Sequence, residues 1–235
     1  MLRYHGGMTA LLAIDTSGAL CSLAIHAAGR WFEHTHKVER LHNRVVLQDL
    51  ERLTVQAGVP RNGFRAVAFG AGPGSFTGVR IAAAVAQAVA LASDGEVVPV
   101  RSSLALATVA GARLEPTARG ETQRLLTVTR SRRDAYYLAG YQRGTDGTWQ
   151  LRLEERLHQG EALPAVLTEP WIGAGDRPPW WPRAWSFLDD DACRVTARVI
   201  GELALDALAR GEGLPPSAAV PFYVTGDSPW KPARP

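Results

Sequence analysis

The 235 residues include 46% hydrophobic and 21% charged side chains and carry a formal net charge of +3. That composition makes a folded chain the default reading, and the charge is too small for a dedicated nucleic-acid binder, which gathers a larger excess of cations on one face. Two widely separated cysteines, Cys21 and Cys193, supply neither a disulfide framework nor a zinc spacing and fit a reducing cytoplasm, and no apolar run reaches the ~18 residues of a membrane span.

Residues 1–7 lack a signal-peptide pattern and read as an extension ahead of Met8. Residues 11–15 form a short apolar strand ending at the turn cluster Thr16-Ser17-Gly18. Residues 20–26 alternate, Ala27-Ala28-Gly29 turns, and 30–35 make a third strand, so the chain opens with an antiparallel meander. Residues 41–57 place Val45, Val46, Leu50, Leu53 and Val55 near helical spacing before Gly58-Val59-Pro60 stops them. A buried-type strand over 66–70, a helix over 76–92, a strand over 97–100 and a helix from Ser102 or Ser103 to about 112 follow. This order predicts an α/β fold whose sheet is antiparallel at first and parallel later.

Residues 115–121, with Pro116 and Gly120, read as a linker that divides the chain into 1–112 and 113–235. Beyond it, 125–128, 135–141 and 149–157 alternate as strands, with Gly144-Thr145-Asp146-Gly147 as a hairpin signal. A short helix over 161–167, a strand from Trp171 to Gly175, an irregular Pro- and Trp-rich stretch over 177–185 and an amphipathic helix over 192–210 complete the second half. The tail from Leu214 holds six prolines and is expected to be extended. The second half therefore repeats the theme of the first in reduced form.

The most specific stretch is Gly70-Ala71-Gly72-Pro73-Gly74-Ser75-Phe76-Thr77-Gly78-Val79-Arg80. A strand ends, glycines open backbone angles closed to other residues, and Ser75 or Thr77 can cap the helix that starts there. Free N–H groups at such a start suit an anion. No Lys follows the last glycine, so this is not a phosphate-binding P-loop, and Thr77 stands where a dinucleotide fingerprint needs its third glycine. A structural tight turn and an anion or partner site both remain open readings of the spacing. The helix after it, from Ile81 to Ala92, has Gln87 as its only polar residue. A helix apolar all round is covered all round, by its own chain or by another.

This stretch resembles the signature of the TsaB family, also called YeaZ. Ala13-Ile14-Asp15-Thr16-Ser17 is similar to the family's opening strand and loop, and residues 100–107 to its third strand–helix junction. His42 with Leu47 matches part of a His-containing helix start, although Gln48 replaces the usual proline. The likeness is close over 11–107 and loose afterwards: Arg130 stands in place of an Asp, the Glu is replaced by Ala135 or displaced to Asp134, and Thr225 stands in place of an Arg. The resemblance implies a two-lobed, actin-like (ribonuclease H-like) fold, each lobe a mixed sheet flanked by helices. It implies a non-catalytic partner of a TsaD-type subunit, joined by a TsaE-type ATPase, in placing a threonylcarbamoyl group on a tRNA adenosine beside the anticodon, with pairing to a second copy when alone. No cofactor is then required by this chain, and ATP or ADP and a metal belong to the assembled complex.

On that basis Ala82, Val85, Ala86, Val89, Gly74, Phe76 and His42 are the expected partner surface. Asp15, Thr16, Ser17, Ser75, Thr77 and Arg80 are the candidate nucleotide or anion contacts, and Arg130, Arg132 and Arg133 the candidate tRNA contacts. His34 and His36 share one face of a strand and His42 stands at a helix start, but no acidic residue of suitable spacing completes a metal set, so the three read as solvated or capping histidines, and the His-x-x-x-His pattern of TsaD is absent. The competing readings are an ATP-dependent kinase or hydrolase, for which the later half offers only Gly173-Ala174-Gly175-Asp176, and a peptidase with Ser75 as nucleophile, to which no His–Asp pair can be assigned.

Overall fold

The structure is a computed structural model that describes residues 10–37, 42–114, 123–132, 134–189, 191 and 193–224. In chain order the elements are β1 (Ala10–Asp15), β2 (Leu20–Ala27), β3 (Arg30–Lys37), α1 (His42–Ala57), β4 (Phe64–Gly72), α2 (Phe76–Ala92), β5 (Glu96–Arg101), α3 (Ser102–Gly111), β6 (Arg124–Arg132), β7 (Ala135–Arg143), β8 (Trp149–Gln159), β9 (Ile172–Gly175), β10 (Phe187–Asp189), α4 (Ala197–Ala209) and a 3-10 turn (Pro216–Ala218). No described helix is long and apolar enough to cross a membrane. The extension, the linker and the end of the tail lie outside the described residues.

The chain forms two compact units, and they are not consecutive halves. The first joins the residues up to Arg101 with Val195–Pro221, and the second begins at Ser102. The expected boundary near 112 thus moves to the β5–α3 junction, and α4 returns to the first unit. The reason is contact: α4 packs on β1, β2, β4 and β5.

In the first unit the strand order is β3-β2-β1-β4-β5, antiparallel through the meander and parallel for β1-β4-β5. Side chains alternate between its two faces. Leu12, Ile14, Leu23, Ile25, Val67 and Phe69 form a core with Val46, Leu53, Ala82 and Ala86 of α1 and α2. The opposite face carries small residues, Ala13, Ser22 and Ala24, which let α4 come close: a Cβ at Gly201 would meet Trp31 at 2.4 Å and the Ala13 Cβ at 3.2 Å. Ser22 Oγ accepts the backbone N–H of Ala197 at 2.9 Å, so β2 caps α4. This helix starts at Ala197 rather than 192, because that is where the sheet offers its first N–H an acceptor.

The second unit has the order β8-β7-β6-β9-β10, the same topology as the first. The predicted repeat of the theme is therefore real. One face meets α3, where Ser103 and Tyr141 hydroxyls lie 2.8 Å apart. The other buries Leu126, Val128 and Leu138 beneath Trp181 and Leu167, with Trp171, Trp180 and Trp185 around them. The helix expected over 161–167 is a run of turns, and the Trp-rich loop does the covering instead. The short strand β10, which the residue pattern does not predict, pairs with β9 inside this region.

Candidate functional site

Strand β4 ends at Gly72, whose φ of +101° favours glycine, and the Gly72–Pro73 peptide is cis. Ser75 caps α2, its Oγ accepting the Gly78 N–H at 3.3 Å. The loop leaving β1 is stapled onto this corner. Ser75 N–H donates to the Ser17 carbonyl at 2.7 Å, and Thr16 Oγ1 donates to the Gly78 carbonyl at 2.7 Å. A Cβ at Gly74 would lie 2.4 Å from the Ser17 oxygen, and one at Gly78 only 1.8 Å from the Thr16 oxygen. These two glycines therefore exist to let two backbones touch.

The structure gathers Asp15, Thr16, Ser17 and Ser75 at one corner, but the first three are buried and the hydroxyls of Thr16 and Ser75 are engaged internally. Asp15 Oδ1 accepts the Ser17 N–H at 3.0 Å. Burial pushes the Asp15 carboxyl above its ordinary value, partly opposed by the hydrogen bonds from Ser17. Ser75 and Thr77 are exposed. Arg80 folds back, donating to the Phe76 carbonyl at 3.2 Å and lying 3.3 Å over the Phe76 ring.

The expected partner surface also divides. Ala82 and Ala86 are fully buried in the core of the first unit and cannot face a partner. Val85 and Val89 are half-buried against that core. The exposed positions along the later turns of α2 are instead Ala84, Gln87, Ala88, Leu91 and Ala92, at helical spacing, with Gln87 donating to the Pro216 carbonyl at 3.3 Å. Between α1 and α2 runs an open groove of about 380 Å³ lined by Leu47, Leu50, Thr54, Phe64, Ala88 and Val89. Leu47 is 60% exposed, Leu91 72% and Val55 78%. Glu51 and Arg61 pair at 2.6 Å on the same lining. Gly74 is half-buried, Phe76 is 48% exposed, and His42 opens α1.

On the other side of α1 lies a residue that sequence reasoning does not single out. Asp49 is 1% exposed and meets both strand histidines: His34 Nδ1 lies 3.4 Å from Oδ1 and His36 Nε2 2.9 Å from Oδ2. Its signal is present in the chain, since 49 is in helical phase with the buried Val46 and Leu53 and a carboxylate there sits on the core face. Cys21 lies opposite His36 on β2. Burial first, then the charges of Asp49 and Asp15, push its thiol up to about 12.

In the second unit, Arg130 and Arg132 are exposed at the end of β6, whereas Arg133 lies outside the described residues. The Arg130 N–H donates to Asp176 Oδ2 at 2.7 Å, so the short Gly173–Asp176 motif closes on its own sheet.

Comparison with known proteins decides the family. A family model described as TsaD, tRNA N6-adenosine threonylcarbamoyltransferase, matches residues 34–155. The Escherichia coli K12 protein named tRNA threonylcarbamoyladenosine biosynthesis protein TsaB is 28% identical over 229 residues, 94% of this chain and 96% of that one. Its namesake from Haemophilus influenzae is 38% identical over 100 residues, 43% of this chain and 42% of that one. The structure of YeaZ from Pseudomonas aeruginosa superposes with a TM-score of 0.75 at 33% identity, covering 92% of this chain and all (100%) of that one. The chain belongs to the TsaB (YeaZ) family. The actin-like, two-lobed α/β expectation is borne out with it, in two five-stranded mixed sheets.

The departures from the TsaB pattern can now be placed. Gln48 is exposed on α1, Ala135 is buried at the start of β7, and Thr225 lies outside the described residues. Arg130 lies exposed on the end of β6.

Proposed function

We propose that this chain is a partner subunit that supports a TsaD-type catalytic subunit in forming threonylcarbamoyladenosine beside the anticodon of tRNA, and that it supplies no reacting group itself. The observation that carries this reading is the apolar groove between α1 and α2, lined by the largely exposed Leu47, together with the exposed Leu91 on α2. An apolar face of this kind on a folded chain marks an interface. The names of its relatives, all of threonylcarbamoyladenosine biosynthesis, supply the chemistry. The corner around Thr16 and Gly78 favours a supporting role, because the Thr16 hydroxyl and the Ser75 and Gly78 N–H groups are bonded within the chain. Ser75, as a helix cap with its hydroxyl accepting from Gly78, has the same effect on the peptidase reading.

The same groove serves for pairing with a second copy when the chain is alone. A TsaE-type ATPase joins the assembly, ATP or ADP and the metal of the chemistry are held by the other subunits, and a tRNA substrate places the complex in the cytoplasm. The test is co-expression with a TsaD-type protein. The two are expected to co-elute and to restore the modified adenosine in tRNA. The double variant Leu47→Glu/Leu91→Glu, both on solvent-facing positions, should lose co-elution while keeping its circular dichroism. Co-elution unchanged in that variant would overturn the assigned surface. Tight binding of ATP to the isolated chain by calorimetry would favour a kinase or hydrolase instead.

A further inference from the structure

The His34, His36 and Asp49 cluster takes no part in the groove or the corner. Strand β3 is the edge of its sheet, and residues 34 and 36 project from the same side of it toward α1. Each of the three residues offers one ligand atom, and these atoms all lie within 4.8 Å of one another. His36 Nε2 and Asp49 Oδ2, 2.9 Å apart, have the spacing of neighbouring ligands around an ion with bonds of about 2.0–2.2 Å, which is roughly 2.9–3.6 Å for octahedral to tetrahedral angles, and His34 Nδ1 lies 3.4 Å from the other carboxylate oxygen, Oδ1.

Asp49 itself calls for a cation. It is 1% exposed, and among the described residues its Oδ2 has no hydrogen-bond partner: His36 is near enough at 2.9 Å but misaligned for an N–H donor. The hydrogen bond from His34 to Oδ1 is long, at 3.4 Å. Arg52, 64% exposed, comes no nearer than 3.8 Å to Oδ1. A carboxylate withdrawn from water and left with one bare oxygen is destabilising unless a charge is placed against it. His36 is 45% exposed, so the cluster opens to solvent on one side.

We propose that His34, His36 and Asp49 bind one divalent transition-metal ion, zinc being the type, which ties edge strand β3 to α1. Two imidazoles and one carboxylate select a transition ion over magnesium or calcium, and the open side leaves room for water as a further ligand. The ion fixes the inner face of the helix whose outer face lines the groove. The site stands independently of the partner reading.

The test is a calorimetric titration of the metal-free full chain with Zn²⁺ at neutral pH, alongside thermal melts with and without the ion. One Zn²⁺ per chain and a raised Tm are expected, since an ion that binds only the folded state stabilises it. Asp49→Asn, and separately His34→Gln/His36→Gln, should weaken binding at least about tenfold and abolish the rise in Tm. The histidine pair is partly exposed on an edge strand, so that variant keeps the test meaningful if Asp49→Asn does not fold. Mg²⁺ in place of Zn²⁺ should give no tight site. Absence of a 1:1 zinc site, or the same affinity in the histidine variant, would overturn the proposal.

Discussion

Asp15 is a carboxylate that the fold handles poorly. In the unfolded chain it ionises near its ordinary value of 3.8, while burial makes the folded chain hold the proton to higher pH. As pH rises through that interval the unfolded state has already released its proton, so stability falls. Asp15→Asn keeps an oxygen for the Ser17 N–H and removes the charge. It should melt like the parent below the ordinary carboxylate pKa and higher than the parent at pH 7, a comparison that two thermal scans make. An equal effect at both pH values would mean the charge is compensated. The motif around this residue is legible as a glycine corner from residue types alone, with Ser75 or Thr77 as its helix cap. What residue types cannot show is that Thr16 and Gly78, 62 positions apart, are bonded to each other. Asp49 escapes notice for a related reason: its partners His34 and His36 are neighbours across a sheet–helix layer, and linear spacing carries no trace of that.

Helices and strands follow local pattern where local pattern rules. The opening meander, α1, β4, α2 and β5 come out with small shifts at their ends, since alternation and helical spacing are set by residues close in the chain. The differences arise where tertiary contact decides. α2 reads as apolar all round because alanine is counted apolar; one face of it fills the core and another stands in solvent. The helix expected over 161–167 gives way to turns, where Leu163 and Leu167 join a tryptophan-lined cluster. α4 takes its start from another element: Thr196 at its N-cap makes no side-chain bond, and Ser22 of β2 accepts the N–H instead. Ser22→Ala would leave that buried donor without a partner. A loss of about 1–3 kcal/mol is expected, read as a lower midpoint in urea with unchanged slope.

Over the whole molecule, two sheets of one topology are covered in different ways, the first by helices on both faces and the second by one helix and a loop of tryptophans. The tRNA reading belongs to this scale, because it concerns the complex. Arg130 and Arg132 are exposed at the end of β6, and guanidinium groups suit phosphate oxygens. Replacing both with Ala should weaken tRNA binding by the assembled complex several-fold at low salt and flatten its salt dependence by roughly one unit of slope per lost contact, as anisotropy would record. Unchanged affinity at low salt would remove these residues from the tRNA surface. The order of synthesis adds a last consequence. The bare small-residue face of the first sheet waits for a helix that the ribosome delivers only after every strand of the second sheet. A nascent chain halted at Arg194 therefore leaves Ala13, Ser22 and Ala24 without the cover that completes them.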